Sequence, residues 1–165
     1  MGMVACFTAL SAEALRELQD DPDRIEEYLY PDDGESEPPN YIDLDKAWHG
    51  IHYLLTGRSE GGDPPHSLAV FGGEEFGPEV DYGPARFLTA EQVRNVAEAL
   101  SELSPAALAR RFDPKDMEAK QIYPDVIWVR DGKEALDYAL DNYQQLKLFY
   151  RDAAARGDAV IQWLS

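Results

Sequence analysis

Cysteine is almost missing from this chain of 165 residues, which holds a single one, Cys6. An internal disulfide is thereby excluded, and a reducing compartment is compatible with the composition. Cys6 lies in an apolar segment with no cation beside it to lower its pKa, so it reads as a buried, inert thiol. Positive charge is scarce as well: fifteen Lys and Arg stand against thirty-two Asp and Glu, a formal net charge of −17. Such a field repels phosphate backbones and anionic headgroups, so neither nucleic acid nor a membrane is expected as a partner, whereas a basic protein, a cationic small molecule or a metal ion is favoured. No run of about 18 apolar residues occurs, and no basic stretch followed by a long apolar one opens the chain, so a cytoplasmic protein is expected. Neither a Gly-x-Ser-x-Gly elbow nor a Gly-x-x-x-x-Gly-Lys loop is found, and no cofactor is expected. The length fits one domain over residues 1–165, as a monomer or a homodimer.

What is present is concentrated between Asp43 and Gly57, where apolar and ionisable residues interleave at helical spacing. Leu44, Ala47, Trp48, Ile51, Leu54 and Leu55 fall on one face, the stripe that a packed helix needs. Asp45, His49, His52 and Thr56 form a narrower polar row on another side. Asp43 is placed to cap the start and Gly57 to end it.

Around this helix the remaining elements follow from pattern. Apolar runs at 3–10, 67–72 and 158–164 are each too short for a helix and are expected as strands buried on both faces, joined by a shorter one at 85–88. Ser11 should cap a helix carrying Leu15 and Leu18, and Asp21-Pro22 starts a second with Ile25 and Leu29. The acidic, proline-rich stretch 31–40 reads as a surface loop. The glycine-rich segment 72–84 reads as a loop of the kind that holds ligands in open α/β sheets. It carries Glu74, Glu75 and Tyr82 but no basic residue before Arg86, which argues against phosphate. Thr89 with Gln92 makes a capping box for a helix through Leu103. Ser104-Pro105 and Asp113-Pro114 start two short helices, and 122–128 is a bent connector. Asp131 with Glu134 opens a long helix near 131–156 that Gly157 stops. The sum is an α/β fold with a small mixed sheet covered on both faces.

Several stretches together resemble the bacterial YfbM-like family over most of the chain. They are the opening Met-Gly-Met, the Leu68-Ala69-Val70 run with Gly72, the Ile122-Tyr123-Pro124 connector and the ending Tyr150…Gly157…Ala159. The most specific element is the family pattern Leu-Asp-x-Asp-Lys-x-Trp-x-x-x-His-x-x-Leu-Thr-Gly. It is met here by Asp43, Asp45-Lys46, Trp48, His52 and Leu55-Thr56-Gly57, with Ile42 in place of the first Leu. The resemblance implies a three-layer α-β-α sandwich and a family of unknown function. Asp45, Trp48 and His52 are motif positions; His49 is not.

Three functions compete. An acidic binding or regulatory module, of inhibitor or immunity type, fits the charge and the lack of a catalytic signature. A small-molecule enzyme would use His52 as general base with Asp45 or a loop carboxylate, near a substrate recruited by Tyr82 or Arg86. A metal-dependent hydrolase would need His49 and His52 with Glu74 or Glu75 as ligands, although the His-Glu-x-x-His signature is missing and no metal is expected. The residues that a ligand would meet are therefore Asp45, Trp48, His52, Tyr82 and Arg86.

Overall fold

A computed structural model describes residues 2–32 and 34–165. Met1 of the opening motif and Asp33 of the acidic loop lie outside the described residues. In chain order the elements are β1 (Ala5–Leu10), α1 (Ala12–Asp20), a 3-10 turn (Pro22–Arg24), α2 (Ile25–Leu29), β2 (Tyr41–Asp43), a 3-10 turn (Asp45–Ala47) and α3 (Trp48–Thr56). A third 3-10 turn (His66–Leu68), β3 (Glu74–Glu79), β4 (Pro84–Leu88), α4 (Ala90–Ser101), α5 (Pro105–Ala109), α6 (Pro114–Ala119), α7 (Ile127–Asp131), α8 (Lys133–Arg156) and β5 (Ala159–Leu164) follow. Among the described residues no helix is long and apolar enough to cross a membrane.

The fold is mixed α/β, with one open sheet in the order β2-β1-β5-β4-β3. Every pairing is antiparallel, which corrects the expectation of a mixed sheet. The reason lies in the connections. β3 and β4 are joined by a tight turn, which permits only antiparallel pairing. Between β4 and β5 the chain passes through α4 to α8, a connection long enough to bring β5 back antiparallel beside β4. Every residue of β1 and β5 is buried. Ala5, Phe7, Ala9, Val160 and Leu164 pack with α3, α4 and α8, while Cys6, Leu10, Ala159, Ile161 and Trp163 pack with α1 and α2. Burial on both faces, rather than strand direction, is what erased the alternation from these two runs.

The expected strand at 67–72 does not form. His66–Leu68 is a 3-10 turn and the residues after it continue as turns. Their backbone is satisfied by side chains: Gln162 Nε2 donates to the Leu68 carbonyl (2.8 Å), and the Tyr150 hydroxyl donates to the Ala69 carbonyl (2.6 Å). The Gly72 N–H donates to Gln162 Oε1 (3.1 Å). A compact apolar run suits a buried turn as well as a buried strand, provided its polar backbone finds such partners. Strand β3 arises instead inside the segment expected as a ligand loop, and five of its six residues are exposed. β2 occupies Tyr41–Asp43, where no strand was expected.

Local signals at helix ends hold better. Ser11, Ser104 and Asp113 each accept the backbone N–H three residues on, and Thr89 with Gln92 closes a full capping box. Gly57 and Gly157 end α3 and α8 at φ of 75°. Two starts differ. Regular helix begins at Trp48, because Asp43 ends β2 and its carboxylate takes the Asp45 N–H (2.9 Å). The long helix begins at Lys133, since Ile127–Asp131 forms α7 and Gly132, at φ of 54°, separates the two.

Candidate functional site

The start of α3 and the segments packed on it gather most of the residues singled out by pattern. Asp45 enters at φ of 48° and is exposed. The Tyr138 hydroxyl donates to its carboxylate (2.6 Å) and accepts the Lys46 N–H (3.0 Å), tying the turn to α8. Burial, and then the hydrogen bond to Asp45, push the Tyr138 phenol well above its ordinary pKa. Asp45 therefore works as a hydrogen-bond acceptor in a structural tie.

Three residues on from Asp45, Trp48 is buried, and its indole N–H donates to the Met3 carbonyl (2.9 Å). Its ring stacks on His49 (centroids 5.0 Å apart, 12° between planes) and on Tyr123 (5.6 Å, 30°), and meets Phe71 at 5.9 Å. Over the Phe71 ring, 4.7 Å from its centroid, lies the Arg86 guanidinium. That guanidinium also pairs with Glu75 (2.8 Å) and donates to the Gly73 carbonyl (3.3 Å). Trp48 and Arg86 are thus joined through Phe71, which pattern alone did not mark. Tyr123, on the connector, was not marked as a partner of Trp48 either.

The histidines divide sharply. His49 Nδ1 accepts the Tyr123 N–H (2.8 Å), so its ring proton sits on Nε2 and is donated to the Ser59 carbonyl (2.7 Å). Both nitrogens are committed to backbone, which leaves no lone pair for a metal or for abstracting a proton. His52 is 2 % exposed and neither ring nitrogen has a hydrogen-bond partner. Burial lowers the pKa of both rings, and for His52 the neighbouring His49 adds to the fall. The Gly61 backbone and Glu60 oppose it for His52, though Gly61 does not reach hydrogen-bonding geometry with the ring.

The side chains that a metal-dependent hydrolase would need lie apart along the chain's elements. Glu74 and Glu75 stand on the edge strand β3, paired in register with Phe87 and Arg86. His49 has no free nitrogen. Among the described residues no group of three or more His, Cys, Asp and Glu side chains is arranged to hold a metal ion. Tyr82, half exposed in the β3–β4 turn, meets the rest of the chain through its N–H on the Leu164 carbonyl (3.4 Å). Asp45, Trp48 and His52 share α3 and the turn before it, and Arg86 is joined to Trp48 through Phe71, whereas Tyr82 lies in the β3–β4 turn.

Cys6 is buried, and burial pushes its thiol up to about 11. The residue that pattern reading missed altogether is Gln162, the one polar side chain of β5 and 2 % exposed. Its signal was there: a lone amide inside a buried strand implies partners.

A family model described as a domain of unknown function (DUF1877) matches residues 1–163. Among solved structures the chain is similar to the crystal structure of YfbM from Escherichia coli, a protein of unknown function. The TM-score is 0.76 at 22 % identity, over 98 % of this chain and 99 % of that one. At that identity the likeness shows the fold alone. No curated protein matches the chain.

Proposed function

The chain belongs to the domain-of-unknown-function family DUF1877, as its resemblance to YfbM-like proteins implied, and from that premise we propose that it is an acidic binding or regulatory module, of inhibitor or immunity type, that meets a basic protein in the cytoplasm. We read the clusters on the two faces of the sheet as a three-layer α-β-α arrangement within one domain over residues 1–165. One observation carries the functional reading: the net negative charge is concentrated in one stretch of the chain, which includes the two helices on one side of the sheet. Residues 12–43, which include α1 and α2, carry twelve acidic side chains against Arg16 and Arg24 alone. Glu13, Glu17, Glu26 and Glu27 among them are exposed. Residues 90–156 hold twelve acidic and ten basic side chains, close to balance. A field of one sign on one face steers a partner of the other sign and fixes its orientation.

Catalysis draws less support. His49 is committed to backbone groups, His52 is enclosed without a carboxylate on either nitrogen, and Asp45 is held by Tyr138. A general base needs hydrogen-bond reach to a substrate proton.

The test is capture of partners from bacterial lysate at about 0.05 M and about 0.5 M salt, conditions on either side of the Debye length of roughly 10 Å at 0.1 M. The bait is the wild type or a variant in which Glu13, Glu17, Glu26 and Glu27 are all changed to Gln. A basic protein retained at low salt, released at high salt and lost by the variant is the expected result. Repeated captures without any salt-sensitive partner would overturn the proposal.

A further inference from the structure

One surface runs against the charge of the whole. α4 and α8 leave between them an open groove of about 660 Å³. Its floor includes Ala97 and Ala154, small side chains that allow close approach of another backbone, and Leu148 stands 44 % exposed beside them. Its rims carry Arg94, Lys147 and Arg151 against a single acid, Glu98. In a chain with about twice as many acidic as basic residues, that is a local inversion of sign. Among the described residues Arg94 forms no ion pair. Arg151 pairs only with its neighbour Asp152 (3.0 Å), both more than half exposed, a contact worth little in water. Lys147 rests on the Leu103 carbonyl (3.3 Å), with its ammonium 5.8 Å from the Tyr143 ring centroid.

We propose that this groove is the docking site for an amphipathic helix of a partner protein, one that presents apolar anchors at i, i+3 or i+4, and i+7 between acidic flanks. The dimensions agree. The lining runs from Arg94 to Ser101 on α4, about 10.5 Å at 1.5 Å per residue, and from Gln144 to Ala155 on α8, about 16.5 Å, which is length enough for one such anchor set. The cations are distributed along that length, so a single carboxylate or phosphate satisfies only part of them, whereas a row of carboxylates on a helix meets them all. A second copy of this chain is a poor occupant. Its acidic helix α1 already buries Leu15 and Leu18 against the sheet, and so offers charge without anchors. An anionic lipid surface is repelled by the net charge of −17.

The experiment is selection on the purified full chain from a phage-displayed library of random peptides of about sixteen residues, four to five helical turns. The expected winners place Leu, Ile, Met or Phe at helical spacing with Asp or Glu beside them. Synthetic winners, followed by fluorescence anisotropy, lose affinity about tenfold or more to Leu148→Asp and to the double variant Arg94→Glu, Arg151→Glu, and weaken as salt rises. All three positions are exposed, so circular dichroism and the melting midpoint should be unchanged; Leu148→Ala supplies a milder probe if they are not. No enrichment, winners of basic character, or binding that survives these variants would overturn the proposal. So would sedimentation as a dimer that Leu148→Asp dissociates, which assigns the groove to a second copy. The variant with Gln at positions 13, 17, 26 and 27 should bind the selected peptides like the wild type, so this proposal and the preceding one fail separately.

Discussion

At His52 an imidazole is enclosed on α3 with both nitrogens unpartnered, and a buried polar group in that state costs about 1–3 kcal/mol. Burial lowers its pKa below the ordinary 6.5, so the unfolded chain binds more protons than the folded one as pH falls. Stability contributed by keeping the ring neutral is therefore complete above about pH 6.5 and lost progressively below it, down to the folded-state pKa. His52→Leu, of similar size and without polar atoms, should unfold at higher urea than the wild type at pH 5.5. It should also lose less stability between pH 7.5 and 5.5. Some slope persists, because His49 is shifted in the same direction. A variant that is less stable at pH 7.5 would reveal that the ring has a partner after all. Gln162 is the opposite case, a buried amide with every polar atom used. Gln162→Leu leaves the Gly72 N–H and the Leu68 carbonyl without partners inside the core. A loss of about 3 kcal/mol in denaturant unfolding is expected.

Gly50 shows how packing between elements overrides propensity within one. In an isolated helix, Gly→Ala would stabilise by about 1 kcal/mol. Here a Cβ at position 50 would collide with the Trp128 ring of α7, which is 1 % exposed and held by its own N–H on the Ile122 carbonyl (3.1 Å). Overpacking of this kind typically costs 1–3 kcal/mol. Gly50→Ala is thus expected to lower the melting midpoint despite its better propensity; a raised midpoint would mean that α3 and α7 part easily. The same contrast separates the legible elements from the others. Helix ends were readable because their signals are local: Ser11, Thr89 with Gln92, Ser104 and Asp113 each satisfy an N–H three residues away. The turn at 66–71 was not, since its carbonyls are met by Tyr150 and Gln162, more than eighty residues distant in sequence.

Across the whole molecule the charge is a matter of distribution as much as of sum. An excess of acid at residues 12–43 and near balance at residues 90–156 set the surroundings of α1 and α2 apart in charge from those of α4 and α8. Solubility should fall to a minimum near the pI of about 4.4, where net charge vanishes, and recover above it. Turbidity across pH 3.5 to 7, measured at one protein concentration, checks this, and a minimum displaced well above pH 5 would mean that many carboxylates are held protonated.

The amino-acid order by itself settled the family, the helix caps at Ser11, Thr89, Ser104 and Asp113, the two strands at the ends of the chain and the sign of the surface. These depend on neighbours along the chain or on composition, which need no coordinates. Tertiary structure decided that the sheet is antiparallel throughout and that 67–72 turns rather than pairs. It decided too that Trp48 meets Arg86 through Phe71 while Asp45 and His52 go separate ways. Those outcomes rest on which distant backbone group a side chain reaches, and separation along the chain carries no record of that distance.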